Sequence, residues 1–332
     1  CGATNQTDMR WLFTLQHIIG LGKKEAIVLL CVTKGLESFK NGSINVAGAS
    51  RVGLYRTLQS EYSYVCSRHM DVERHLEDHV LADQIVEELF AESQDVEVCY
   101  RDGQRYRAYL DVEHSKMEKS QKQNFPSTHV LWITGGTRGL GLLCARHFVE
   151  NYGVKQIVLT GRESLPTREA WDLYKEQRSS TAHKIRTIEQ LEQLGAKIQV
   201  LSIALSDKDE VRSSVEKVKR TMGPIGGVIH CAGSVDLENP AFIRKSLETI
   251  NQVLEPMIQG LNILYNGLTK EPLQFFVLFS SVSAIVPSLG AGQSDYAMAN
   301  AYMDYFSEAH AHSCPIVSIQ WPSWKETGMG EV

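Results

Sequence analysis

The segment HVLWITGGTRGLGLLCARHFVENYG, residues 129–153, constrains the fold more than any other part of the chain. A short apolar run, a turn with four glycines and a helical stretch follow one another without a break, the pattern of a β-strand feeding a helix through a glycine turn. Glycine is needed there because a Cβ would keep a pyrophosphate away from the turn and from the free N–H groups at the helix N-terminus. The alternation continues. KQIVLTGR reads as a strand, Arg168 to Gln193 as one long charged helical stretch, KIQVLSIAL as a strand and DEVRSSVEKVKRTM as an amphipathic helix. GGVIHCAG is a strand, followed by a helix through Gly260, the strand LQFFVLFSSVS, the helix around ANAYMDYFSEAHAH and the strand PIVSIQW. Strands alternating with helices predict an α/β fold with a doubly wound parallel sheet of the Rossmann type.

Residues 10–110 also alternate, through WLFTLQHI, EAIVLLCVTKG, VAGASRVGLYRTLQSEY and DQIVEELF, but carry no phosphate-binding glycine loop. They end in VEVCYRDGQRYRAYL, two strands around Asp102-Gly103, a favourable hairpin turn pair. The polar stretch 114–129, with Pro126 near its end, marks a boundary, giving a first lobe at 1–126 and a second at 127–332. A chain of 332 residues suits two lobes of ordinary size. Its net charge of −5 and lack of a basic stripe argue against a nucleic-acid partner. No apolar run reaches 18 residues and no leader opens the chain, so neither membrane insertion nor export is expected. Seven cysteines without a CxxC pair point to reduced thiols and a cytoplasmic location. The opening CGATNQTDM, without an initiator methionine, suggests a piece of a longer polypeptide.

Two arginines bear on the choice of cofactor. Arg162, at the end of the second strand of the alternating series, stands where NAD-binding folds commonly put an acidic residue on the ribose 2′-hydroxyl. A guanidinium there suits a 2′-phosphate, and Arg138 in the glycine turn adds a second cation, so NADPH is the expected cofactor. His69, His75 and His79, with Glu77, fit no zinc-protease motif and read as exposed helix histidines, so no metal is expected.

TGGTRGLG, HCAG at 230–233, FSSVS at 279–283 and Tyr296-Ala-Met-Ala-Asn300, in this order, resemble the ketoreductase domains of modular polyketide synthases, a branch of the short-chain dehydrogenase/reductase superfamily. GASRVGLYRTLQSEY and EVCYRDGQRYRAYL resemble the structural subdomain of the same domains, a degenerate Rossmann-like fold that braces the catalytic one. The insert at 163–195 and the wording DYAMANAYMDYF resemble synthases that receive their acyltransferase in trans.

The resemblance implies NADPH-dependent reduction of a β-ketoacyl thioester on an acyl carrier protein, among neighbouring synthase domains. Tyr296 would donate the proton, Ser281 would bond the same oxygen and Asn300 would order the site. The family spaces serine and tyrosine 13 apart. Ser281 lies 15 before Tyr296 but at the expected place after its strand, with IVPSLGAG as a two-residue extension, while Ser283 has the 13-residue spacing. The cofactor would be held by Gly135, Gly136, Thr137, Arg138, Gly139, Leu140, Gly141, Arg162, Ala204, Leu205, Cys231, Ala232, Gly233 and, in WPSWKETGM, Pro322.

The chain departs from the family in two places. The lysine of the segment resembling PKxxG is Met257 in PMIQG, and the aspartate that contacts adenine is Ala204. Lys245 and Lys270 are the nearest lysines in sequence to Met257. Reading Met257 as a loss of function gives a catalytically silent or epimerising domain with a structural or docking role. Asp236 overlaps the marker of family members that give D-hydroxyl products, and members continue through a lid helix and a last strand beyond the point where this sequence stops.

Overall fold

The computed structural model describes residues 9–22, 26–112, 124–312 and 314–324. The first part of the chain runs α1 (Arg10–Leu21), β1 (Ile27–Lys34), α2 (Ala49–Glu61), β2 (Val65–Val72), α3 (Asp78–Leu89), β3 (Glu97–Arg101) and β4 (Gln104–Arg107). These strands form a four-stranded sheet in the order β1-β2-β3-β4, parallel except for β4. The β3–β4 hairpin turns at Asp102 and Gly103, both at positive φ (54° and 69°), the backbone that an Asp-Gly pair accepts at least cost.

The remainder runs β5 (Val130–Thr134), α4 (Gly139–Tyr152), β6 (Gln156–Gly161), α5 (Asp172–Lys175), α6 (Ser180–Gln193), β7 (Lys197–Ser202), α7 (Lys208–Thr221), β8 (Ile225–His230), α8 (Leu247–Met257), α9 (Gln259–Leu268), β9 (Phe275–Ser281), α10 (Pro287–Gly290), α11 (Ser294–His310) and β10 (Ile316–Trp321). Its six strands are all parallel, in the order β10-β9-β8-β5-β6-β7. The chain leaves β5 in one direction and returns at β8 to build in the other. That reversal makes β5 and β8 the switch point, and the crevice at their carboxyl ends is where such sheets bind ligands.

Both central strands are buried throughout, as expected of strands covered on both faces. Alternate residues of β5 serve opposite cores. Val130 and Trp132 pack with residues of α7, α9 and α11, whereas Leu131 and Ile133 pack with Ala145 and Val149 of α4 and Ile185 and Ile188 of α6.

Three sequence expectations change. The stretch 168–193 is a 3-10 turn at 168–170 followed by α5 and α6, because Trp171 turns inward and donates to the Pro166 carbonyl (2.9 Å) and Ser179 Oγ accepts the Ala182 N–H (3.2 Å) and starts α6 anew. The helix through Gly260 breaks at Ile258, just after Pro256. A proline has no N–H for the carbonyl four residues back, and that carbonyl, on Gln252, accepts the Ser234 hydroxyl instead (3.2 Å). The three histidines share no helix: His69 is buried in β2, His75 lies exposed in the following turn and His79 is exposed near the start of α3. Most of the expected boundary at 114–129 falls outside the described residues.

Helix α2 joins the two sheets. It lies against α11, and at Gly53 a Cβ would stand 2.4 Å from the Ala297 carbonyl oxygen, so the two helices touch backbone to backbone. Arg56, one turn on, donates to the Ala284 carbonyl (2.7 Å) and the Tyr305 hydroxyl (3.0 Å).

Candidate active site

The glycine turn joins β5 to α4 at the switch point. Gly135 has φ +62°, and a Cβ on it would lie 2.7 Å from the Cys231 carbonyl oxygen; on Gly141 it would meet the Gly135 oxygen at 2.6 Å. The turn is thus closed against the loop after β8 and against itself, and only glycine fits. Arg138 precedes α4 without capping it by its side chain, which leaves the first N–H groups of a 14-residue helix at Gly139, Leu140 and Gly141 for an anion. The buried Thr134 hydroxyl ties the two strand ends, accepting the Ala232 N–H (3.3 Å) and pairing with His230 Nδ1 (2.8 Å). Burial pushes His230 down to about 4, so it is neutral at physiological pH.

Arg138 and Arg162 are both exposed beside Glu163. The Glu163 carboxyl is held below its ordinary range first by its bond to Lys184 (2.8 Å) and then by these two arginines, so the guanidiniums share one neighbourhood with the acidic residue bound elsewhere. Thr137 is buried, its Oγ1 2.7 Å from where a Cβ on Gly161 would stand. Beyond β7, Ala204 is exposed with its N–H on Glu210 (2.9 Å), and Leu205 is buried under Gly260. Pro322 follows β10 directly and is exposed; the expected segment from residue 325 onward lies outside the described residues. Gly cradle, unclaimed helix N–H groups and paired arginines together fit a phosphorylated dinucleotide.

Ser281 ends β9, and its Oγ accepts both the Ser283 N–H (3.2 Å) and the Ser283 hydroxyl (3.0 Å). The two spacings therefore describe one unit. Ser283 is buried and orients Ser281, whose own proton stays free to be donated outward. Tyr296 sits in the first turn of α11, half-buried against the core that includes Met257, and the Asn300 amide donates to its carbonyl (2.8 Å).

Met257 closes α8 under the β8 loop, its Sδ 3.2 Å from where a Cβ on Gly233 would be. Burial raises the Tyr296 phenol above its ordinary value, and the opposing influence among the described residues is the Asn300 amide. Lys245 does not fill the gap. Its buried ammonium lies 3.0 Å from Asp236 Oδ2 and 3.1 Å from Asp295 Oδ2. Asp295 in turn accepts the Tyr296 N–H (2.9 Å), so Lys245 fixes the start of α11 without reaching the phenol as a charge. Burial works against ionised Asp236, but the bond to Lys245 prevails and holds it below its usual range. Lys270 is exposed before β9, at the opposite edge of the sheet. No spacing in the sequence signals the Lys245 triad, whose members come from two loops and a helix end.

The strand order, the switch-point crevice and the serine and tyrosine beside it define a Rossmann-type α/β protein of the short-chain dehydrogenase/reductase kind. The KR domain family matches residues 129–326, and the chain belongs to it, a ketoreductase domain of the polyketide-synthase type. Polyketide synthase PksL of Bacillus subtilis (strain 168) is 57% identical over 335 residues, covering 100% of this chain and 7% of that protein. A 6-methylsalicylic acid synthase of Arthrobotrys oligospora is 32% identical over 93% of the chain and 17% of its own length. The chain therefore spans a small part of these relatives. Among solved structures, a ketoreductase domain from the bacillaene assembly line superposes with a TM-score of 0.74 at 28% identity, covering 99% of this chain and 75% of that one. Among the described residues, no helix is long and apolar enough to cross a membrane.

Proposed function

We propose that the chain reduces a β-ketoacyl thioester, carried by phosphopantetheine on an acyl carrier protein, to the β-hydroxyacyl thioester, with NADPH as reductant. The setting is a cytoplasmic synthase, of the type served by an acyltransferase in trans, whose neighbouring domains deliver and receive the acyl chain. We assign residues 1–126 to a bracing subdomain and 127–332 to the catalytic one.

The observation that carries this reading is the convergence at the carboxyl ends of β5, β8 and β9. The glycine turn, the HCAG loop, Ser281 and the helix of Tyr296 and Asn300 all meet there. The first-turn N–H groups of α4 would hold the pyrophosphate, and Arg138 and Arg162 would bind the 2′-phosphate. When bound, NADPH supplies the hydride. Ser281, oriented by Ser283, donates a hydrogen bond to the substrate carbonyl oxygen, and Tyr296 gives that oxygen its proton as charge develops on it. Asp236, held by Lys245 on the loop after β8, favours the D-hydroxyl product.

The test is oxidation of NADPH by purified protein given a β-keto thioester, with a bulky cyclic ketone such as a tetralone as surrogate. Absence of turnover with either would overturn the reading. One observation favours a second reading: at Met257, among the described residues, no cation assists a phenol whose ionisation is already disfavoured. A domain that binds its carrier without reducing, or that only epimerises, would exchange the α-hydrogen of a thioester, or do nothing, while leaving NADPH intact.

A further inference from the structure

His69 lies outside the reaction centre, 1% exposed in β2, and its Nδ1 has no hydrogen-bond partner. Its protonation pattern follows from its neighbours. Asp71 accepts from Arg101 (2.6 Å) and from the N–H groups of Leu36 (2.9 Å) and Glu37 (3.1 Å). The Thr33 hydroxyl gives its only proton to Asp71 (2.6 Å), so at 2.8 Å from His69 Nε2 it accepts, and Nε2 carries the hydrogen. A neutral His69 therefore turns the lone pair of Nδ1 toward Glu97 Oε1 at 3.6 Å and Glu37 Oε1 at 3.7 Å. Lone pair facing carboxylates is unfavourable unless something positive lies between them.

A proton on Nδ1 fits the distances poorly. A charge-assisted N–H···O bond closes to about 2.7–2.9 Å, whereas Nδ1 stands almost equally far from both carboxylates and beyond hydrogen-bond reach. The spacing suits a shared cation, since ligands about 2.0–2.2 Å from tetrahedral zinc are about 3.4 Å apart. The three donor atoms all lie within 4.8 Å of one another. Each also has an outer partner: Nε2–H on Thr33, Arg56 on Glu97 (2.6 Å) and the Tyr305 hydroxyl on Glu37 (2.5 Å).

We propose that His69 Nδ1, Glu37 and Glu97 form a site for a divalent transition cation of the zinc class, with water completing the shell on the partly exposed glutamate side. Imidazole with carboxylates is a zinc donor set. The ion stands between β1–β3 and Tyr305 of α11, so it pins the first sheet to the helix of Tyr296 and does not depend on whether that tyrosine turns over.

The test uses the whole chain after chelator treatment and dialysis. Zinc titrated calorimetrically should bind with one equivalent and raise Tm, and cobalt in its place should give the visible bands of a four-coordinate site without thiolate charge transfer. His69→Gln and Glu37→Gln should each weaken binding at least tenfold, while His75→Ala with His79→Ala and Cys66→Ser should leave it unchanged. Glu37→Gln carries the comparison if His69→Gln does not fold, because the Glu37 side chain is 28% exposed. No saturable zinc binding by the unaltered chain, or undiminished binding in the folded variants, refutes the site. So does a metal-free His69 that is already an imidazolium at neutral pH and stays one when zinc is added.

Discussion

Replacing Met257 by lysine tests what the site lacks. Met257 is 2% exposed and packs beneath Gly233, so a lysine there arrives desolvated beside the half-buried Tyr296. An opposite charge at close range favours phenolate by about 1–3 pKa units, each worth about 1.4 kcal/mol. Taking one unit as the net gain after desolvation, the phenol becomes a better acid and turnover rises about tenfold. The sign in pH follows. Reduction needs the protonated phenol, so activity falls as pH rises through its pKa, which in the unaltered chain lies above the ordinary value of about 10. In Met257→Lys that alkaline limb should move down by about one unit. Burying an unpaired ammonium costs several kcal/mol, and at about 2 cal/mol/K of unfolding entropy per residue each kcal/mol lowers the Tm of a chain this long by about 1.5 °C. Turnover of a ketone against pH, with melting curves for both proteins, checks each part. A folded variant with unchanged or lower turnover and an unmoved alkaline limb would show that Met257 does not hold the place of a catalytic cation.

Arg162→Ala should weaken NADPH about tenfold in a direct binding titration and leave NADH unchanged, the low end of a charge-assisted contact because Arg162 is exposed. Equal affinity for both cofactors in the unaltered chain would reject the assignment. Tyr296→Phe should abolish reduction while keeping Tm and cofactor affinity, and residual turnover near the original would move the acid elsewhere. Lys245→Met leaves Asp236 and Asp295 without their shared cation and should cost about 3–5 kcal/mol, read by denaturant unfolding. Gly53→Val drives a side chain into the Ala297 carbonyl and should lower stability by about 1–3 kcal/mol, with a shift in Tm as the measure.

Where local chemistry decides the outcome, the sequence was readable. In the β5 turn Gly135 is closed on by the loop after β8, Gly136 by Ile133 and Leu159, Gly141 by Gly135, and Gly139 sits at φ +51°, while the Asp-Gly hairpin also needs positive φ, so both can be seen in a few consecutive letters. The family resemblance pointed to Ser281, Tyr296 and Asn300; Ser281 ends β9 and the other two lie in the first two turns of α11. Other features depend on distant partners. Ser179 looks like any serine in a charged stretch until its hydroxyl starts a helix, and Pro256 signals a break but not that Ser234 takes up the freed carbonyl. Lys245 was 12 residues from Met257 in sequence, but its charge is spent on Asp236 and Asp295. His69 was grouped with His75 and His79 by proximity in sequence, whereas its neighbours in space are Glu37 and Glu97.

The contact between α2 and α11 also sets an order of events during synthesis. Arg56 and Tyr305 are 249 residues apart, and α2 cannot cover its face until α11 has left the ribosome. At about 5–20 residues per second, that is a wait of roughly 12–50 s. For that interval Val52, Leu54 and Leu58, all buried in the finished fold, have no α11 to pack on. The first sheet is thus made early and covered late, and the apolar face of α2 stays open to solvent throughout that interval.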